Sequence, residues 1–308
     1  MIALAVHADW SMDPRKRWMT VARPAGEGWV VQAPEPVGAL ETWLPRLRQT
    51  AGDGGIALGV DLPIGLPRAY VQRHVGVSDF MEFLRNLANT PTFFDVCATL
   101  DEISPDRPFY PARGVFGMTR AAHAAALDLG SPAGLSRQCD RATTQRPAGA
   151  PLFWTLGANQ TGKAAITAWR DWLLPALTSP EPPLLWPFEG GLHDLLGHGR
   201  VVVAETYPAE CMRQRGLRLR GSKRRQSDRA AVVPAIVSEL AALGARPAFD
   251  PADGFGSDPA GEDRFDSVLG LLGLLAVLTG RQPDFIPKDP WIHRWEGWVL
   301  GQTDMPSS

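Results

Sequence analysis

The chain has 308 residues, 44% of them hydrophobic and 21% charged, with a formal net charge of −2. This composition is typical of a folded globular protein, and the length allows one large domain with a sizeable core. The small net charge argues against wholesale wrapping of a polyanion but permits a local basic patch. Three scattered cysteines without a CxxC pair predict neither a disulfide framework nor a cysteine zinc site, which fits a reducing compartment.

The N-terminal segment 1–6 is apolar but lacks a basic flank, and it runs directly into His7 and Asp9. We therefore interpret it as a first strand and not as a signal peptide. The longest apolar run, 268–278, is shorter than the ~20 residues that a transmembrane helix needs. We expect a cytoplasmic protein that does not enter a membrane.

Three short β-rich segments open the chain, at 2–6, 18–22 and 29–33. The loop 23–28 between the second and third contains glycine and is typical of a hairpin, so the three strands should form an antiparallel meander. Apolar residues at helical spacing over 37–47 then predict an amphipathic helix.

The apolar segment 56–60 predicts a further strand, which should lie parallel to an earlier one because a helix connects them. The region from about 66 to 150 contains helix-like stretches broken by Pro and Gly, and we interpret it as a large, mostly helical insertion. The chain 1–308 is thus predicted to be a single α/β domain. Its expected core is a mixed sheet, an antiparallel meander plus parallel strands, flanked by helices.

The second half predicts a helix over 164–177, a loop over 175–187 and a strand over 200–204 that ends at Glu205. Asp228 is expected to cap a helix that Gly244 closes and Pro234 kinks. The segment 262–279 predicts an apolar, deeply packed helix.

Carboxylates follow three of the predicted strands: Asp9, Asp61 and Glu205. If these strands are neighbours, the carboxylates converge at one edge of the sheet. Asp263 and Asp266 lie three residues apart on one helix face. Carboxylates that repel one another are commonly neutralised by a hard divalent cation, so we predict that these five residues bind Mg²⁺ or Mn²⁺ for phosphoryl chemistry. Each residue alone is more often a turn or cap residue, and only the constellation favours metal.

A basic stretch follows the Glu205 strand and contains eight cations: Arg213, Arg215, Arg218, Arg220, Lys223, Arg224, Arg225 and Arg229. We predict that Lys223, Arg224 and Arg225 contact nucleic-acid phosphates. The alternative is an ordinary solvated surface.

The segment 157–163, Gly-Ala-Asn-Gln-Thr-Gly-Lys, has P-loop spacing but is followed by Ala164 where a hydroxyl should reach Mg²⁺. A glycine-built turn into the next helix is the favoured interpretation, so Lys163 is expected to have no role in cleavage. His193 and His198 are interpreted as surface-loop residues. No Gly-x-Ser-x-Gly motif occurs, which disfavours nucleophilic hydrolases.

Five segments resemble an uncharacterised family of predicted nucleases with a ribonuclease-H-like fold (domain of unknown function 429). They are Val-Asp-Leu-Pro-Ile-Gly-Leu-Pro at 60–67, Ala-Glu-Thr-Tyr-Pro-Ala-Glu at 204–210, Gly-Ser-Lys at 221–223, Glu-Asp-Arg-Phe-Asp at 262–266 and Glu-Gly-Trp-Val-Leu-Gly at 296–301. The resemblance covers the first strand and roughly 56–67 and 150–301. It implies that Asp9, Asp61, Glu205 and the pair Asp263/Asp266 correspond to the acidic metal ligands of that superfamily. It leaves open which member of the pair ligates. Ser267 departs from the alanine that the family pattern leads us to expect.

The predicted function is therefore a Mg²⁺- or Mn²⁺-dependent phosphodiester hydrolase, a nuclease acting on DNA or RNA. One alternative is an ATP-dependent phosphotransferase of actin-like fold, although the sequence lacks the second Asp-bearing hairpin of that duplicated fold. The other is a non-catalytic nucleic-acid-binding module. The sequence leaves the substrate preference and the oligomeric state open.

Overall fold

The fold is an α/β arrangement built on one mixed sheet, and the computed structural model describes residues 1–156, 161–197 and 199–306. Eight strands of these residues form the sheet: β1 (Ile2–Asp9), β2 (Trp18–Ala25), β3 (Gly28–Val31), β4 (Glu35–Pro36), β5 (Gly55–Val60), β6 (Leu184–Leu185), β7 (Val201–Glu205) and β8 (Ala245–Pro247). Their order is β6-β7-β5-β1-β2-β3-β8, and β4 pairs with β2.

The first three strands form the predicted antiparallel meander, and β5 and β7 extend the sheet in parallel on the other side of β1. In the parallel part, Ala8 lies opposite Val60, and Val60 lies opposite Glu205. The backbone N–H of Asp61 continues this ladder by donating to the Ala8 carbonyl oxygen at 3.0 Å. Strands β1, β5 and β7 therefore end at the same edge of the sheet.

Eleven α-helices lie in the described residues: α1 (Leu40–Ala51), α2 (Arg68–His74), α3 (Phe80–Asn86), α4 (Arg120–Ala126), α5 (Thr161–Ala168), α6 (Leu174–Leu177), α7 (Leu192–Leu195), α8 (Pro208–Gln214), α9 (Gln226–Ala230), α10 (Val233–Ala242) and α11 (Gly261–Leu278). A π-helical turn, Trp169–Leu173, joins α5 to α6, and a second one is Ile292–Glu296. None of these helices is long and apolar enough to cross a bilayer.

Both faces of the sheet are covered, because alternate residues of the central strands enter two different cores. In β1, Leu4, Val6 and Ala8 face the core that contains Trp43, whereas Ala5 faces the core that α11 dominates. This alternation is what a strand buried on both sides requires. The prediction of an α/β protein with a mixed sheet between helices is confirmed.

The chain between β5 and β6 forms short helices and irregular segments, including the 3₁₀ turns Pro132–Leu135 and Gln138–Asp140. The predicted insertion over 66–150 falls inside this stretch. Its treatment as an insertion into one domain stays a prediction.

Several predicted elements differ from the structure. The prediction that Asp228 caps one long helix is wrong: Asp228 lies inside α9, where its carboxylate accepts from the Ser222 N–H at 2.8 Å. Pro234 does not kink a helix but occupies the first turn of α10, where its missing N–H costs nothing. The predicted loop 175–187 contains β6, because a two-residue strand carries too little pattern to be recognised.

Helix α11 approaches β1 closely at one point, where Gly270 faces His7. His7 is fully buried, and burial lowers its pKa to about 3, so the imidazole is neutral. A Cβ atom at position 270 would collide with the imidazole ring. The absence of a side chain at Gly270, in the middle of α11, therefore sets how near this helix comes to β1 at His7.

Gly270→Ala should destabilise the protein by about 1–3 kcal/mol through overpacking, although alanine favours a helix by ~1 kcal/mol over glycine. The measurement is the free energy of unfolding in urea. Gly76→Ala, where a Cβ meets no atom within 4 Å, is the control and should change stability by less than about 0.5 kcal/mol. Equal stability of Gly270→Ala and wild type would show that the β1–α11 spacing does not depend on this glycine.

Candidate active site

Three of the predicted site residues reach one edge of the sheet through the register of the parallel strands. Asp9 ends β1, Asp61 follows β5 and Glu205 ends β7. Asp9 and Glu205 are buried, with 9% and 6% of their surface exposed. The sequence therefore predicted correctly that these carboxylates lie at the same sheet edge.

The first turns of α11 bring Asp263 and Asp266 to the same edge. The start of this helix is tied to β2 by a 2.7 Å hydrogen bond between the hydroxyls of Thr20 and Ser267. The Ser267 hydroxyl also donates to the carbonyl of Arg264 at 2.7 Å. The serine that departs from the family pattern thus anchors the helix that carries both aspartates.

Lys223 is the cation closest to this group of carboxylates, since its Nζ lies 2.5 Å from Asp266 Oδ1. Burial lowers the pKa of Lys223, but the charges of Asp266, Asp61 and Asp9 raise it by more than burial lowers it. The net pKa is therefore above its usual value. Lys223 therefore faces three of the five predicted ligands and is held in its charged form.

The aspartates raise one another's pKa because they are buried and carry like charge. Burial raises the pKa of Asp9 well above its usual value, and the charges of Asp266, Asp61 and Asp263 add to the rise. Burial and the charge of Asp266 raise the pKa of Asp61 to about 7, against the opposing charge of Lys223. Asp266 affects both residues, whereas Asp263 affects only Asp9 among these two. Asp266 is thus the more central member of its pair.

Few donors satisfy the oxygens of this cluster. No side-chain or backbone donor of the described residues forms a hydrogen bond with the carboxylate of Asp9 or Asp61. The Oδ2 atom of Asp263 is buried and has no described partner either. Carboxylate oxygens without donors, at residues that are buried or half-buried, are suited to a hard cation such as Mg²⁺ or Mn²⁺, so the residues present fit such an ion.

Glu205 differs from the aspartates in its partner, because Arg137 pairs with both of its oxygens. Burial raises the pKa of Glu205, and Arg137 opposes that rise. Arg137 Nη1 and Nη2 lie 2.6 and 2.7 Å from Glu205 Oε2 and Oε1, and the Ile64 N–H donates to Oε2 at 2.7 Å. The same guanidinium donates to both oxygens of Asp140 at 2.9 Å. Arg137 is fully buried, so this bridge lies in a region of low dielectric.

Cys139, Asp140 and Glu205 offer ligand atoms that all lie within 4.8 Å of one another, and this group could hold a metal ion. Within the described parts of the chain, it is the one group of three such residues that meets this spacing. The oxygens of Asp9, Asp61 and Asp266 are more widely spread. Arg137 supplies the positive charge between Asp140 and Glu205, so a metal ion at this group requires the guanidinium to move away.

A cleft of about 350 Å³ opens beside Asp61 and Glu205. Its walls combine the two carboxylates with the cations Arg146 and Lys163 and with apolar and aromatic side chains. A volume near the lower end of the range for small-molecule sites suits one small polar ligand.

The segments that carry the family resemblance meet at this site. Gly65 has φ +137, and a Cβ there would collide with the carbonyl oxygen of Glu296; Gly297 has φ +66, and a Cβ there would collide with the Ile64 carbonyl oxygen. Only glycine allows this close approach of the two backbones. The Leu300 N–H donates to the Glu205 carbonyl oxygen at 2.8 Å, which joins the C-terminal segment to the strand end.

The basic stretch is divided between paired and exposed cations. Lys223 points into the carboxylate cluster, and Arg229 is buried and donates to backbone carbonyls, for example that of Gly254 at 2.8 Å. The side chains of Arg224 and Arg225 are 85% and 67% exposed, and Arg225 pairs with Asp228 at 2.7 Å. The stretch therefore supplies structural contacts as well as exposed arginines at the rim of the site.

The structure describes only part of two other features that were singled out in the sequence. Residues 157–160 of the P-loop-like segment, and His198, lie outside the described residues. Lys163 is described and lines the cleft, so it is nearer to the predicted site than the sequence suggested. His193 does not lie in a loop but in the one-turn helix α7.

Sequence reasoning did not find Arg137 and Asp140. They lie in a 3₁₀ turn of the region predicted to be an insertion, 68 and 65 residues before Glu205 in the chain. No amphipathic pattern or motif surrounds them. An arginine and an aspartate three residues apart occur on many exposed turns, so only their burial marks them.

Comparison of the chain with protein-family models, curated proteins and solved structures finds no match. The resemblance to the predicted nucleases therefore depends on the five short segments alone.

In the presence of a chelator, we expect Asp61 to make the protein less stable as the pH rises. Its pKa is about 7 in the folded state and ~3.9 in an unfolded chain. The folded state thus binds more protons between these values, and its stability falls through this window. Asp61→Asn removes the effect. The free energy of unfolding of Asp61→Asn, relative to that of wild type, should increase by more than about 1.4 kcal/mol from about pH 5 to pH 8, the equivalent of one pKa unit.

The measurement is urea unfolding at several pH values with EDTA. Asp53→Asn changes an exposed aspartate and should follow the wild-type pH profile. Parallel profiles for Asp61→Asn and wild type would mean that Asp61 is not buried among like charges.

Proposed function

We propose that this chain is a Mg²⁺- or Mn²⁺-dependent phosphodiester hydrolase that cleaves nucleic acid and has a ribonuclease-H-like fold. The observation that carries the proposal is the convergence of Asp9, Asp61 and Asp266 at one sheet edge. Asp9 is buried and Asp61 is half-buried, and neither carboxylate accepts a hydrogen bond from the described residues. The sheet order supports the proposed fold, since an antiparallel meander is followed by parallel strands on the other side of β1.

Asp9, Asp61 and Asp266 would hold the metal, with Asp263 at the periphery. When bound, Mg²⁺ or Mn²⁺ would stabilise negative charge on phosphoryl oxygens as a Lewis acid. The carboxyl groups of Asp9 and Asp61 would lose their protons when the ion binds, because a cation offsets both causes of their raised pKa values, burial first and like charges second. Metal affinity should therefore rise with pH up to about 7.

Glu205 and Lys223 would have supporting roles. Burial raises the pKa of Glu205 and Arg137 opposes that rise, so a Glu205 carboxylate held by Arg137 would contribute negative charge beside Asp61. Lys223 offsets part of the cluster's charge, and its ammonium could contact a substrate phosphate once a metal ion takes over that task at Asp266.

The second candidate is the ATP-dependent phosphotransferase, which one observation favours: Lys163 of the P-loop-like segment lines the same cleft as Asp61. Titration calorimetry with MgATP separates the two functions, since the proposed nuclease should show no saturable binding. Nothing in the site specifically favours the non-catalytic binding module, which should be indifferent to Mg²⁺.

The proposed activity is tested by a cleavage screen with Mg²⁺ or Mn²⁺ over single-stranded, duplex, branched and hybrid substrates, combined with thermal unfolding. A metal ion at about 100 times its dissociation constant should stabilise wild type by ~2.7 kcal/mol. At about 2–4 °C per kcal/mol, the melting temperature should rise by several degrees. Asp9→Asn and Asp61→Asn should lose the stabilisation and the cleavage together.

The control for both readouts is Asp53→Asn, which should retain the metal-induced rise and the cleavage because this aspartate is exposed and distant from the strand ends. A wild-type protein whose melting temperature does not respond to either ion would contradict the metal site. Metal-induced stabilisation without cleavage of any substrate would retain the site and reject the nuclease activity.

The exposed arginines of the basic stretch should contribute to nucleic-acid affinity. Changing Arg224 and Arg225 to Glu should weaken binding and flatten its salt dependence by about one slope unit per lost phosphate contact. Filter binding at a series of salt concentrations measures both. The matched control changes Arg23 and Arg281 to Glu, two arginines that are exposed elsewhere. Equal effects of the two pairs of substitutions would show that the basic stretch contributes only general surface charge.

A further inference from the structure

We infer that the cleft beside Asp61 binds one unpaired nucleotide of the substrate, and that Lys163 is the residue that contacts its phosphate. The inference rests on the proposed function and specifies its substrate class as single-stranded nucleic acid or an unpaired end. It depends on the size of the cleft, on the charges of its walls and on which of its cations already have partners.

The size of the cleft limits what can enter. About 350 Å³ is room for a ligand of nucleotide size but not for a double helix. Because Asp61 and Glu205 lie in its wall, a strand that reaches these carboxylates through the cleft must do so with one nucleotide unstacked from its neighbours.

The cations of the cleft are not equally available to a ligand. Arg137 is committed to Glu205 and Asp140. Arg146 donates to the Cys139 carbonyl oxygen and to Gln302 Oε1, and it lies 3.6 Å from a carboxylate oxygen of Glu210.

Lys163 differs from both arginines, since it forms no ion pair or hydrogen bond through its side chain with any residue that the structure describes. An ammonium group on the wall of a cleft, whose three donors have no partner among the described residues, is suited to a phosphate group. Lys163 is carried by α5, and its helix continues through the buried π-helical turn at Trp169, so its backbone is firmly placed.

The remaining walls offer surfaces for a base. Trp10, Leu62, Pro63, Ala150, Tyr207 and Val299 line the cleft. Trp10 is fixed in place, because its indole N–H donates to the Thr167 hydroxyl at 3.1 Å and the Arg17 guanidinium lies 4.5 Å from its ring centroid. Trp10 is only 7% exposed, so it forms a rigid back wall, and the partly exposed Tyr207 is the aromatic side chain on which a base can stack. Such a wall binds bases by stacking and contact without strong sequence preference.

The experiment measures binding of a fluorescein-labelled single-stranded oligonucleotide, and of the same sequence as a duplex, by fluorescence anisotropy in EDTA and in Mg²⁺. Lys163→Ala should weaken single-strand binding about tenfold, the effect of one lost charge-assisted contact, and reduce the salt slope by about 0.7. Lys163→Arg should restore most of the affinity. Lys288→Ala removes an exposed lysine outside the cleft and should leave binding unchanged.

Melting temperatures of the variants establish that each is folded, and the Lys163→Arg rescue distinguishes a lost contact from a lost fold. The inference is overturned if Lys163→Ala binds the single strand as wild type does, or if the duplex binds at least as tightly as the single strand. Saturable MgATP binding that disappears in Lys163→Ala would also overturn it and assign the cleft to a free nucleotide. A wild type that binds the single strand through Lys163 but cleaves nothing would reject the proposed hydrolase activity alone.

Discussion

Arg137 donates two hydrogen bonds to Glu205 and two to Asp140 in the interior of the protein, and this four-bond bridge connects the irregular chain after β5 to the central sheet. A guanidinium with this geometry satisfies both carboxylates at once, which offsets the free energy of removing three charges from water. Removing one partner of such a bridge typically costs about 3–5 kcal/mol, because the other charges remain buried. The edge of the sheet where the strands end can carry Glu205 only because Arg137 lies beside it.

Cations neutralise the carboxylates of the sheet edge to different extents, and this difference determines the chemistry of the edge. Arg137 balances the Glu205 side, whereas Lys223 is the cation that acts on all three of Asp9, Asp61 and Asp266, with Arg229 adding a smaller effect at Asp266. The aspartates therefore retain like charges that raise their pKa values. A site with surplus negative charge, beside a cleft whose Lys163 has no partner among the described residues, suits a cation and an anion together, as in a metal ion with a phosphate ester.

The sequence alone determined the elements whose pattern is local. Short β-rich segments and a glycine-containing loop predicted the meander, and the apolar segments before Asp61 and Glu205 predicted β5 and β7. Because parallel strands joined by a right-handed crossover end at the same edge, the convergence of Asp9, Asp61 and Glu205 followed from the order of the elements. The spacing of Asp263 and Asp266 likewise followed from the helix period, although the sequence did not distinguish the two.

The tertiary structure decided which charges meet across long stretches of chain. It paired Arg137 with Glu205, Lys223 with Asp266, and brought Lys163 into the cleft that Asp61 lines. It also decided the short strands β6 and β8, whose two and three residues carry no recognisable period. The physical reason is the same in each case. Periodicity reports on neighbours along one element, whereas an ion pair between distant residues depends on packing that no local pattern encodes.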